Sequence, residues 1–391
     1  MSDNSINANW TYPTNLWVGA GRIKELAQAC RSSGFCKPLF VTDAGIVNLP
    51  ITELALTHLK KDGIECNVFS DVKPNPTGTN VEAGIKIFQE GGHDGVIAFG
   101  GGSALDAAKA IALMGKQSRP LWDFEDIGEN WKRVEEKGIA PIVAVPTTAG
   151  TGSEVGRSSL IIHEEQCRKV IIFHPKMLPS IVILDPQLTV GLPPSITAAT
   201  GMDAFSHCLE AYCSPSYHPM CEGIAVEGMR LIKEALPRAV KDGTNIDART
   251  DMIVAASMGS VAFQKGLGGM HSLSHPAGAV YDAPHGLTNA IVMPYVLMNN
   301  RVAIEDKIER LAAFLGITDC SFDGFIDFIL ELREEVGIPH TIDKIGITDN
   351  SKFNLMAEMA EVDPTASGNP IKLTKKMCLD MFEAALAGNL R

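Results

Sequence analysis

Two pairs of polar residues stand four apart in the second half of this chain: Asp203 with His207, and His271 with His275. On a helix, residues four apart project from one face, one turn above each other. Each pair can therefore aim two donor groups at a single point. His285 follows in Pro284-His285-Gly286, so four of the ten histidines and one carboxylate can converge. Imidazoles with one carboxylate suit a borderline divalent ion such as Fe(II) or Zn(II), whereas Ca(II) and Mg(II) prefer all-oxygen sites. An open position on such an ion is where a substrate oxygen would bind. The spacing leaves open which of His271 and His275 is the ligand, because Pro276 pushes the residue before it away from helical ψ. The other six histidines, at 58, 93, 163, 174, 218 and 340, have no partner at ligand spacing.

A second kind of chemistry is written earlier in the chain. Val96-Ile97-Ala98-Phe99 feeds Gly100-Gly101-Gly102-Ser103, and Ala104, Leu105, Ala107, Ala108 and Ile111 then open a helix. A strand, a turn without side chains and a helix N-terminus let backbone N–H groups approach a pyrophosphate closely. The turn departs from the GxGxxG fingerprint of dinucleotide folds, so Gly101, Gly102 and Ser103 are candidates on geometry, not on motif. Asp43 falls just past an earlier strand, where a carboxylate accepts from an adenosine ribose and repels a 2′-phosphate, which favours NAD over NADP. Val145 leads into Pro146 to Glu154, a loop rich in hydroxyls and glycine. Its Thr147, Thr148 and Thr151 are small donors suited to a phosphate or a nicotinamide amide.

The elements that must position these groups follow from periodicity. Short apolar runs alternate with amphipathic stretches through the first half, the pattern of βαβ units in a parallel sheet. Strands are expected at 38–41, 65–69, 95–99, 141–145 and 181–184, with helices at 51–62, 81–90 and 104–113; the result is a doubly wound, Rossmann-like α/β domain. Gly191-Leu192-Pro193-Pro194 breaks regular structure and sets a domain boundary near residue 190. Beyond it, helical patterns at 219–236, 248–263, 303–315 and 325–336 predict an all-α domain. The expected division is 1–190 for the dinucleotide and 191–391 for metal and substrate.

Size and composition agree with a two-domain enzyme. A chain of 391 residues exceeds what one core usually organises and can bury a cleft between two domains. Net charge is −12, without a Lys/Arg cluster that would track phosphates, so nucleic acid is not an expected partner. No apolar run is long enough for a membrane helix and Met1 to Trp10 does not read as a signal peptide; a cytoplasmic location follows as the expectation. Nine scattered cysteines without a CxxC pair read as reduced thiols.

Taken together, these motifs resemble the iron-containing, or group III, alcohol dehydrogenases, the family of lactaldehyde reductase, related to glycerol dehydrogenase. The resemblance runs through nearly the whole chain and implies a dehydroquinate synthase-like fold. It further implies that Gly100 to Ser103 with Asp106 and Lys109 hold the pyrophosphate, and that Pro146 to Glu154 forms the nicotinamide side. Asn75 in Pro74-Asn75-Pro76, Lys169 and Leu188 would contact the dinucleotide. Asp203, His207, His271 and His285 would be the metal ligands, with His275 beside them as the group that relays a proton. The implied reaction is hydride transfer between the C4 of NAD and a small alcohol or aldehyde, with Fe(II) or Zn(II) as metal. Two relatives in chemistry stay open at this point: an NAD-dependent lyase of the dehydroquinate synthase kind, and a hydroxyacid-oxoacid transhydrogenase. Related enzymes form dimers, and a strand at Trp10 to Val18 could pair with its symmetry mate, so a homodimer is expected.

Overall fold

The apolar runs of the first half become parallel strands because both faces of the sheet are covered, which demands continuous apolar sequence in place of alternation. The computed structural model describes Tyr12 and residues 14–166 and 168–390. Its contacts divide the described residues into two units, 14–192 with 244–257, and 193–243 with 258–390 and Tyr12. Residues 244–257, assigned above to the helical domain, thus fold with the α/β unit. A physical reason is Ser257, whose hydroxyl donates to the buried Glu154 carboxylate at 2.6 Å.

The first unit holds β1 (Asn15–Val18), α1 (Leu26–Ser32), β2 (Pro38–Val41), α2 (Pro50–Lys61), β3 (Asn67–Phe69), α3 (Gly78–Glu90), β4 (Gly95–Gly100), α4 (Gly102–Met114), β5 (Ile142–Pro146), β6 (Ser158–His163), β7 (Arg168–Phe173) and β8 (Ile181–Leu184). Six strands form one parallel sheet in the order β1-β8-β5-β4-β2-β3. On one face Phe40, Ile97, Phe99, Val143, Val145 and Ile183 pack against Leu26, Cys30 and Leu59. The strand expected at Trp10 to Val18 is seen as β1, an edge strand paired with β8; residues 10, 11 and 13 lie outside the described residues.

Helix α3 starts three residues earlier than its apolar period suggests, because Thr77 and Asn80 form a reciprocal cap at its N-terminus. The antiparallel hairpin of β6 and β7 was not anticipated at all. Its strands alternate in burial, but the polar residues from Glu164 to Gln166 between them carry no turn signal that marks a hairpin.

The second unit contains, among the described residues, only helices: α5 (Pro194–Cys213), α6 (Pro219–Lys241), the end of α7 (Ile246–Ala262), α8 (Gly269–Tyr281), α9 (His285–Phe314), α10 (Phe322–Glu335), α11 (Phe353–Glu361) and α12 (Lys375–Ala387), besides short 3-10 turns. The helix expected at 303–315 is the C-terminal part of α9, whose start is hidden in the sequence by Pro294 and by an apolar stretch without period. Pro276 does not end α8 either. Its neighbours from Ser272 to Gly278 are buried except His275, and that packing overrides the local preference against helix. None of these helices is long and apolar enough to cross a membrane, and the eight cysteines among the described residues are free.

Candidate active site

In the α/β unit, consecutive crossovers run in opposite directions from β2 and β4, so the crevice beyond their C-terminal ends is the switch point where open sheets of this kind receive ligands. Asp43 follows β2 and Gly100 ends β4. Gly100 has φ +147°, and a side chain there would meet Ala104 Cβ at 2.7 Å and Asp43 Oδ2 at 3.3 Å. Only glycine turns the chain here while keeping the Asp43 carboxylate beside the start of α4. Asp43 also accepts the Gly45 amide at 2.8 Å. Burial lifts its pKa above the ordinary carboxylate value, against the pull of the Gly45 and Ile46 amides.

The hydroxyl-rich loop lies against the glycine turn. Thr147 N donates to Gly100 O at 2.9 Å, a side chain on Gly102 would run into Thr151 at 2.6 Å, and one on Gly101 would rest in contact with Thr148 at 3.4 Å. Gly101, Gly102, Ser103, Thr147, Thr148 and Thr151 are thus brought together around the first turn of α4. Asp106 and Lys109 are turned inward instead. Asp106 accepts from Ser153 Oγ at 2.6 Å and Leu160 N at 3.0 Å. Lys109, 1% exposed, donates to the carbonyls of Ser153 and Ser158 and pairs with Asp106 at 3.3 Å. Burial pushes the Lys109 ammonium down, opposed by Asp106 and Glu154. The two therefore brace the loop.

Asn75 and Lys169 meet: Lys169 Nζ donates to Asn75 Oδ1 at 2.8 Å, with Asn75 in the left-handed region at φ 58°. Leu188 departs from expectation. It is 3% exposed inside the apolar cluster with Leu26 and Ile183, so its side chain is core.

In the helical unit, α5 carries Asp203 and His207 on one face and α8 brings His271 to them. Ligand atoms of Asp203, His207 and His271 all lie within 4.8 Å of one another, and all three residues are buried. His285, the first residue of α9, places Nε2 3.7 Å from Asp203 Oδ1. The approach needs Gly286, where a side chain would strike Ala199 O at 2.6 Å. With its side chain 29% exposed, His285 marks the side from which the cluster is reached.

His275 is excluded from the triad. Its Nδ1 lies 2.9 Å from Asp363 Oδ2, and its ring stacks on His285 at 5.5 Å between centroids. Of the two histidines that spacing left as alternatives, it is His271 whose ligand atom lies with those of Asp203 and His207.

Three residues around these histidines were missed. Glu210 and Asn289 carried a readable signal, standing three residues after His207 and four after His285 on the same helix faces. Asp363 carried none, being 88 residues from His275. Burial works to raise the Asp363 pKa, but His275 and the Thr365 hydroxyl and amide outweigh it and hold it below the ordinary value. A lowered carboxylate pKa stabilises the fold above the unfolded value and loses that contribution as pH falls through the folded one. Asp363→Asn should therefore lower the thermal midpoint at pH 7, and the gap from the parent should close below about pH 4, near the unfolded Asp value; an unchanged gap at pH 3 would remove this reading of the pair.

Family models now decide the class. That for iron-containing alcohol dehydrogenase matches residues 13–186, and that for the C-terminal part of the Fe-containing alcohol dehydrogenase family matches residues 197–386. The chain belongs to the iron-containing alcohol dehydrogenase family. This dehydrogenase is 36% identical over 368 residues to 4-hydroxybutyrate dehydrogenase of Cupriavidus necator, covering 92% of this chain and 94% of that one. It superposes on the crystal structure of a 1,3-propanediol oxidoreductase with TM-score 0.91 at 34% identity, covering 97% and 99% of the two chains. Sulfoacetaldehyde reductase of Bifidobacterium kashiwanohense, solved in complex with NAD+, matches with TM-score 0.88 at 29% identity, covering 97% and 99%. The resemblance, the α/β plus helical architecture and the oxidoreductase class expected from sequence agree with these matches. The metal that the family name implies finds fitting residues in the dehydrogenase: one buried carboxylate and two buried imidazoles within reach of one ion, with His285 beside them.

Proposed function

We propose that this dehydrogenase interconverts a small alcohol and its aldehyde with NAD as hydride carrier and a divalent metal, Fe(II) or Zn(II), in the cluster of Asp203, His207, His271 and His285. The observation that carries the reading is the convergence of that cluster in a chain of this family. A metal held there supplies Lewis acidity toward the substrate oxygen. NAD held by the α/β unit would supply the hydride chemistry. Asp203 and the three histidines hold and orient the ion. His275, its Nδ1 committed to Asp363, keeps Nε2 for the proton that leaves or rejoins the substrate oxygen.

On the α/β side, the amides at the start of α4 and the hydroxyls of Thr147, Thr148 and Thr151 receive the diphosphate and carboxamide of NAD, with Asn75 and Lys169 alongside. The NAD+ complex of the related sulfoacetaldehyde reductase supports this assignment. Asp43 selects against a 2′-phosphate. Initial rates with NADH and NADPH against short aldehydes test it: the parent should prefer NADH, and Asp43→Gly should shift the NADPH:NADH ratio of kcat/KM by about tenfold or more toward NADPH, the scale of one relieved charge repulsion. A parent preference for NADPH would refute the cofactor assignment. We also propose a homodimer joined through the edge strand β1, for which light scattering should give twice the chain mass.

A further inference from the structure

Glu210 is a buried carboxylate that the reaction above does not use. It stands on α5 on the face of Asp203 and His207, and its side chain is 4% exposed. Its two oxygens are spent on adjacent residues of α8: Oε1 accepts from Met270 N and Oε2 lies against His271 Nδ1, both at 2.6 Å. The Met270 amide belongs to the first turn of α8, where amides lack a partner within the helix and favour negative charge. One carboxylate therefore ties α8 to the helix that carries two ligands, through both the backbone and the imidazole.

The tie fixes which nitrogen of His271 carries hydrogen. A carboxylate on Nδ1 takes that N–H, leaving the lone pair on Nε2. Nε2 is indeed treated as an acceptor from the other side, lying 3.2 Å from Asn289 Nδ2, which also donates to Asp203 Oδ1 at 2.9 Å. Charge points the same way. A divalent ion with Asp203 and neutral imidazoles keeps a net +1 in a buried place, and Glu210 brings the sum to zero, which matters where unpaired charge is costly.

Resting on the metal reading above, we infer that Glu210 is a positioning residue that sets metal affinity through His271, by fixing the imidazole's tautomer and direction and by balancing the ion's charge. Outer hydrogen-bond partners of this kind typically change metal affinity by about 10–100-fold when replaced.

The test is Zn(II) binding to chelator-stripped protein, read by competition with a chromophoric chelator for the parent, Glu210→Gln, His271→Ala and the double variant. Thermal unfolding of the stripped proteins checks that each is folded. Glu210→Gln should weaken Zn(II) binding by about 10-fold or more. In the His271→Ala background the same substitution should cost at least about threefold less than in the parent, because the route through the imidazole is gone and only the charge balance remains. If Glu210→Gln does not fold, Glu210→Asp, which retracts the carboxylate by one methylene, enters the same cycle with the same expectation. Affinity within twofold of the parent, or an equal loss with and without His271, overturns the inference. A parent that binds no Zn(II) overturns the metal reading itself and the inference with it.

Discussion

His207→Ala is expected to lose bound metal and to reduce kcat/KM for aldehyde reduction by on the order of 10³-fold or more, since Lewis-acid stabilisation is worth several kcal/mol. His207 is buried, its ring 4.8 Å from that of His271, and α5 holds it one turn from Asp203. Metal analysis of the purified variant beside its initial rates separates ligand loss from misfolding, provided circular dichroism shows helix content unchanged. Turnover within tenfold of the parent would exclude His207 as a ligand.

The second large effect lies in the other unit. Gly102→Val should weaken NADH binding by at least about tenfold, measured by quenching or enhancement of nicotinamide fluorescence, while metal content stays at the parental level. Gly102 is the first residue of α4, and a side chain there enters the Thr151 methyl at 2.6 Å. The loop must then move off the helix start whose amides are proposed to receive the diphosphate, at a cost of about 1.4 kcal/mol for each tenfold in affinity. Unchanged NADH affinity would place the dinucleotide elsewhere. Because the two variants strike different ligands in different units, each also serves as the control for the other.

Much of this was legible before any coordinates, for physical reasons that differ by element. The strands β2 and β8 were read at their observed limits, because four consecutive apolar residues bounded by turn formers leave little choice in a sheet buried on both faces. The convergence of Asp203 and His207 was legible since helical spacing is a geometric constraint: the two had to share a face once α5 formed. What failed was long-range information. Asp363 finds His275 only through packing of the segment after α11, and Ser257 joins the α/β unit through Glu154, neither of which leaves a local trace. Asp106 shows a contact that its position did not foretell. Its position in a glycine-rich segment suggested a ligand contact, yet both its oxygens are occupied by Ser153 and Leu160, which makes it a brace for the loop. Leu188 was likewise assigned by resemblance, and its burial in the apolar cluster gives its side chain a packing role.

The central claim is that metal and NADH act together in one alcohol–aldehyde reaction. The most direct measurement is NADH oxidation followed by absorbance with a panel of short aldehydes, on protein as purified, after chelator stripping, and after return of Fe(II) or Zn(II). The expected result is about one ion per chain, activity that disappears on stripping and activity that returns with one of the two ions. Stoichiometric metal with no NADH oxidation against any aldehyde, or oxidation that survives stripping undiminished, would contradict it.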